Sequence, residues 1–237
     1  MASYLLLRLL SLSSSSSSSS SSKTAAPAKS QRILVLISGA GTNLQALMDA
    51  GLPVVHVLSN RKDAYGLTRA RNAGIASSYH NLTSYKAAHP GDDQAAREAY
   101  DADLAALILT QNPGLVVCAG WMHILSLAAL DPIAAAGVDI INLHPALPGC
   151  FDGKDAIRRA WNAFNAGLIT ETGVMVHHVI GAVDRGEPIV IKKVDLREGE
   201  SLEDLEARMH AVEHVAIVEG TRIVLDKRAE RDAAQKA

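Results

Sequence analysis

Three short stretches of this chain combine residue types that do chemistry with sharp turns that would present them. The first is Ser38-Gly39-Ala40-Gly41-Thr42-Asn43. Glycines let a backbone turn tightly and approach an anion, and a helix starting behind them offers free N–H groups and partial positive charge. A phosphate cradle and a plain strand-to-helix turn both fit this stretch taken alone. A dinucleotide fingerprint does not, because its third glycine would fall at Leu44, and Ser59-Asn60 stands where a ribose-binding acid belongs. A Walker loop fails as well, since no lysine follows the second glycine. The second stretch is Asn142-Leu143-His144-Pro145. Strand alternation puts Asn142 and His144 on one side. An amide donor beside an imidazole suits charge developing on a carbonyl oxygen. The third is Asp184-Arg185-Gly186. A carboxylate there could raise the pKa of a nearby imidazole and order a water, although Asp and Gly are also ordinary turn residues. His210 and Glu213 share a helix face, read either as solvated surface or as a grip on a substrate ammonium. His177-His178 are successive in a strand-like run, so they face opposite ways, and with no Cys-x-x-Cys spacing no metal is expected.

These stretches need elements to hold them. From Arg32 onward strand-like and helix-like patterns alternate. Ile33–Ile37, Val54–Ser59, Leu115–Ala119 and Asp139–Leu143 read as strands, with a shorter one over Ser77–Asn81. Between them Asn43–Ala50, Ala64–Ala73, Asp92–Gln111 and Leu127–Ala135 read as helices. That alternation predicts an α/β, Rossmann-like fold: a mainly parallel twisted sheet with helices on both faces. Gly173–Ile180 and Pro188–Val194 are also strand-like, but the link between them is too short for a parallel crossover, so an antiparallel C-terminal pair is expected. A final helix starts at Ser201 with Asp204 as a capping partner and passes Glu213 toward Leu225. Beyond Asp226 the charged tail is expected to fray.

Composition bounds the rest. The chain has 237 residues and a net charge of −2, enough length for one sizeable domain and too little basic charge for a general nucleic-acid binder. Aromatic residues make up only 4%, which argues against stacking platforms for single strands. No apolar run approaches the roughly 20 residues of a membrane helix. Cys118 and Cys150 form no disulfide framework. Residues 1–30 carry an unbroken serine run, Ser13–Ser22, and no acid precedes Asp49. They read as a disordered extension or a targeting segment. The folded domain is expected over residues 31–228, followed by a charged tail at 229–237. The chain is expected in the cytoplasm, with an organelle as the alternative if the extension is a transit peptide.

The motifs also occur in a telling order. Ile37-Ser38-Gly39-x-Gly41-Thr42-Asn43-Leu44-Gln45, Leu58-Ser59-Asn60-Arg61, Ala119-Gly120-Trp121-Met122, Asn142-Leu143-His144-Pro145 and Asp184-Arg185-Gly186 together resemble the folate-dependent formyltransferases, in particular their single-domain purine-pathway branch. The likeness runs from about Arg32 to about Leu225. It implies formyl transfer from 10-formyltetrahydrofolate to the amino group of glycinamide ribonucleotide, with no metal. It implies catalysis by Asn142, His144 and Asp184. It implies that Gly41, Thr42, Asn43 and Glu213 hold the ribonucleotide. Arg97, Met122, His123, Ile124, Leu125, Asn142, Ile180, Gly181, Ala182 and Val183 would line the folate side. The partners implied are these two small molecules, without nucleic acid or membrane, on a monomer or weak homodimer. The alternative is another formyltetrahydrofolate-using enzyme, a hydrolase or one with a different amine acceptor. Two departures stand out. His123 occupies a position where many members carry Arg, and the loop after Pro145 is one residue short. In the mechanism expected on this likeness, protonated His144 and the Asn142 amide stabilise the tetrahedral oxyanion, and Asp184 favours the imidazolium.

Overall fold

The computed structural model describes residues 27–235. The serine run, and with it the targeting question, lies outside the described residues. β1 (Ile33–Ile37) is buried along its whole length. Ile33, Val35 and Ile37 pack into one layer, and Leu34 and Leu36 into the other. A strand covered on both faces needs apolar residues at every position, which is why the run is continuous rather than alternating.

The chain then alternates through α1 (Thr42–Asp49), β2 (Val54–Ser59), α2 (Tyr65–Asn72), β3 (Ala76–Tyr79), α3 (Leu82–Ala88), α4 (Asp93–Thr110), β4 (Leu115–Cys118), α5 (Leu127–Ala135) and β5 (Asp139–His144). It continues through α6 (Ala156–Asn165), β6 (Glu171–His178), β7 (Pro188–Asp195) and α7 (Leu202–Ala234). The seven strands form one sheet in the order β3-β2-β1-β4-β5-β6-β7. Pairing is parallel from β3 to β5 and antiparallel across β5-β6-β7. One core layer gathers Leu44 and Leu47 of α1 with Leu205, Met209, Ile217 and Val224 of α7. The other gathers Tyr100, Leu104 and Ile108 of α4 with Ala129 and Ile133 of α5. The strand order reverses at β1, with β2 on one side and β4 on the other. A reversal of this kind opens a crevice at the carboxyl ends of the strands. The loops after β1, β4 and β5 all end there.

Four local expectations need correction. α3 was absent from the sequence reading: it buries no residue, so no apolar stripe announces it, and it is held by Asn81, whose Oδ1 accepts from Thr83 N at 2.9 Å. α6 was also absent. It follows a loop of unusual backbone, with Asp155 at φ 57°, but Ile157, Trp161 and Phe164 pack one side of it on the core. The tail does not fray at Asp226, because α7 runs on to Ala234. Arg228 Nη1 and Arg231 Nη2 reach the Asp139 carboxylate at 2.6 and 2.7 Å, which ties the extra turns to the sheet. The folded body also begins at Lys29, inside the expected extension. Residues Lys29–Gln31 form a 3-10 turn, and Gln31 Nε2 donates to the Leu225 carbonyl at 3.2 Å.

Candidate active site

The glycine loop after β1 turns its carbonyls away from the crevice. Gly66 N donates to the Gly39 carbonyl at 3.1 Å, and Arg69 Nε donates to that of Ala40 at 2.9 Å. With its carbonyls engaged by α2, the loop presents N–H groups to the other side. Gly41 caps α1 with φ 71°, and no side chain caps the helix. The first-turn amides of α1 are therefore free for a ligand anion. Glycine is required at position 41 for a second reason, since a Cβ there would lie 2.7 Å from Gly66 Cα. Behind the loop, Asn43 Nδ2 donates to the buried Glu213 carboxylate of α7 at 3.0 Å, so two of the four expected ribonucleotide residues form one unit.

At the end of β5, Asn142 and His144 meet Asp184. Asp184 is held in the left-handed region at φ 53°. Its neighbour Gly186 cannot carry a side chain, because a Cβ would fall 1.6 Å from the His178 carbonyl oxygen. Asp184 Oδ2 accepts from Gly153 N at 2.8 Å and lies 3.4 Å from His144 Nδ1. Its Oδ1 lies 3.4 Å from both Asn142 Nδ2 and His177 Nε2. Burial would raise the Asp184 carboxyl, but hydrogen bonding with His177 and Gly153 outweighs it and holds the group below the usual carboxylate range. Burial is the largest influence on His144 and pushes it below 6.5 despite the pull of Asp184. The expectation of a standing imidazolium is thereby corrected: desolvation beats the carboxylate, and the resting ring is neutral. With Nδ1 toward Asp184, Nε2 is left buried and without a partner.

His177 was set aside in the sequence reading and belongs to this cluster. β5 and β6 pair antiparallel with Asn142 directly opposite His177. His177 Nδ1 lies 2.8 Å from the His178 carbonyl oxygen, which fixes the proton on Nδ1. Its Nε2 lies 3.2 Å from Asn142 Nδ2 and 3.4 Å from Asp184 Oδ1. Asn142 Nδ2 has only this contact and the long one to Asp184 Oδ1 at 3.4 Å, so the amide is open to a ligand oxygen.

A cavity of about 590 Å³ joins the two ends of the site, within the usual size range of small-molecule sites. Of the expected residues, Gly41, Thr42, Asn43, Met122, His123, Ile124, Leu125, Asn142, His144, Ile180, Ala182, Val183, Asp184 and Glu213 line it. Arg97 and Gly181 do not. Arg97 instead donates to the Ile124 carbonyl behind the wall. Ser38, Arg61, Trp121, Lys154 and His210 also line the cavity. Met122 and Ile124 are 61% and 50% exposed, an apolar lip awaiting a flat ligand. His210 and His214 stand four apart on α7, a spacing that metal sites use, yet His210 faces this cavity and His214 a separate groove. No group of three or more His, Cys, Asp or Glu suited to a metal gathers among the described residues.

A family described as formyl transferase matches residues 31–221. The phosphoribosylglycinamide formyltransferase of Schizosaccharomyces pombe is 50% identical over 201 residues, covering 81% of this chain and 96% of the relative. That of Saccharomyces cerevisiae is 44% identical, covering 83% and 98%. The crystal structure of glycinamide ribonucleotide transformylase 1 from Symbiobacterium toebii aligns with a TM-score of 0.73 at 36% identity, covering 85% of this chain and 90% of that one.

Proposed function

The chain belongs to the formyl transferase family, and from that premise we propose that it moves a formyl group from 10-formyltetrahydrofolate to the amino group of glycinamide ribonucleotide, a step of purine biosynthesis. The observation that carries this reading is the pairing, in one cavity, of an anion-ready helix terminus with a buried His-Asn-Asp cluster. The ribonucleotide phosphate lies on the amides behind Gly41. The amine reaches the formyl carbon beside His144, and the pterin lies against the Met122–Leu125 wall and the Ile180–Val183 segment.

Neutral His144 takes a proton from the attacking amine on Nε2, as the amine nitrogen bonds to the formyl carbon. The oxyanion that results accepts from the Asn142 amide and from the new imidazolium. Asp184, ionised at neutral pH, stabilises that imidazolium through Nδ1. The proton then passes from His144 to the departing folate nitrogen as its bond to carbon breaks. One proton leaves the amine and one arrives on the folate, so the ring returns to its resting state. In this reading the enzyme works in the cytoplasm on two small molecules.

Replacing the ribonucleotide by its phosphate-free ribonucleoside tests the arrangement. The account expects formylated product by mass spectrometry with the ribonucleotide, and a greatly raised acceptor KM for the ribonucleoside. Equal KM values would remove the phosphate site from the account.

A further inference from the structure

Asp101 of α4 is fully buried in the layer formed by Tyr100, Leu104 and Ile108, where an apolar residue would be ordinary. Both of its oxygens are spoken for, and both serve the same short segment. Oδ1 lies 2.6 Å from His123 Nε2, and Oδ2 accepts from Ser126 N at 2.7 Å. Arg97, one turn earlier, has Nε 4.0 Å from Oδ2 and donates to the Ile124 carbonyl. At the near end of the segment, Met122 N donates to Ser38 Oγ at 2.8 Å. Residues 122–126 have no regular secondary structure. Their shape is therefore set by these anchors and not by a ladder of backbone bonds.

The segment bends at His123, and the exposure of its side chains alternates. Met122 and Ile124 face the cavity, while Leu125 is buried and the His123 side chain is only 10% exposed. His123 was expected among the folate contacts, but its ring is turned inward. It packs edge-on against Tyr100 and Trp121, with ring centroids 5.0 and 6.2 Å away, and its Nε2 ends on Asp101.

We propose that Asp101 is a positioning residue for the formyl donor: through His123 and Ser126 it holds the Met122–Leu125 wall in the shape that receives the pterin. A buried polar pair is poor support for stability as such, since apolar replacements of similar volume are often neutral or stabilising. Every hydrogen bond of this carboxylate goes to a segment lining the cavity, so its contribution is to geometry. The proposal rests on the folate reading of that wall.

The test compares Asp101→Leu with the double variant Asp101→Leu/His123→Leu, measuring KM for both substrates, Tm, and amide hydrogen exchange over residues 122–126. In Asp101→Leu the donor KM rises about tenfold or more, as expected when positioning is lost, and the ribonucleotide KM does not move. In the double variant the apolar pair restores Tm, yet the donor KM stays raised and exchange in the segment stays fast. Recovery of donor KM together with Tm would show a merely structural pair and overturn the proposal. Should Asp101→Leu alone fail to fold, the double variant carries the same comparison. A wild-type protein that does not use the formyl donor would sink the functional reading instead. The exchange data would still decide whether Asp101 holds the segment, since an unchanged pattern over 122–126 refutes it.

Discussion

His144 is under two opposed influences, and their balance sets what the ring does. Burial drives it toward the neutral form, and Asp184 at 3.4 Å pulls it back toward the charged one. Burial wins, so an NMR titration of the His144 ring in the free protein is expected to give a midpoint below 6.5. Asp184→Asn removes the opposing pull and moves that midpoint lower still. A midpoint above 6.5, or one that Asp184→Asn leaves in place, would contradict the assignment. His144→Ala should retain ribonucleotide binding while kcat falls by more than the roughly 10²–10³ typical of losing one charge-stabilising donor, because the proton shuttle is lost with it. Calorimetric binding and turnover measured on the same sample separate the two effects. At this scale the sequence was largely legible: Asn142, His144 and Asp184 were each visible as chemistry beside a turn. The state of the imidazole was not, because charge depends on burial, and burial is a property of the assembled site. His177 was missed for a related reason. Its partner is directly across the β5–β6 ladder, and only the β6–β7 pairing had been inferred from the short connection.

The elements hold these residues through close backbone approaches. Gly41 and Gly66 pack against each other, and Gly220 lets α7 settle on Val176 of β6, where a Cβ would approach to 2.7 Å. Gly41→Ala is expected to raise the ribonucleotide KM, because the left-handed backbone alone costs about 1 kcal/mol and the overlap with Gly66 shifts the loop further. Steady-state KM values for the two substrates check this, and the folate KM should move less. α7 makes a second case. Its last turns carry the charges that suggested a frayed tail, yet two of those charges bind Asp139 at the start of β5. Asp139→Ala should loosen the helix beyond Leu225, with a loss of about 1 kcal/mol typical of a partly exposed pair. Hydrogen exchange over residues 226–234 would register it. Local sequence could not show this contact, since the partners are about ninety positions apart. By contrast the alternation of buried strands and helices was readable from β1 to β5, where every connection is local.

At the scale of the whole molecule, one sheet reversal gathers three loops, and the antiparallel β6–β7 addition brings Asp184 over them. Among the described residues, burial disfavours the charged form of two histidines. His56, whose Nε2 lies 2.8 Å from Ser78 Oγ, is held below 6.5 like His144. For such groups the unfolded chain binds more protons than the folded one below that value. Their stabilisation is complete above pH 6.5 and is lost as pH falls through the lower folded values. The melting temperature should therefore drop as the pH is lowered from 7.5 toward 5, above the range where ordinary carboxylates protonate and further above that of Asp184, which is held lower. His56→Gln should flatten part of that slope.

The central claim is that this cavity couples a folate formyl donor to a ribonucleotide amine. The direct measurement is to mix the full chain with a 10-formylated folate and follow deformylation by absorbance, with and without glycinamide ribonucleotide. The account predicts steady deformylation only when the ribonucleotide is present. Deformylation at the same rate without it, or none with it from a folded protein, would contradict the account.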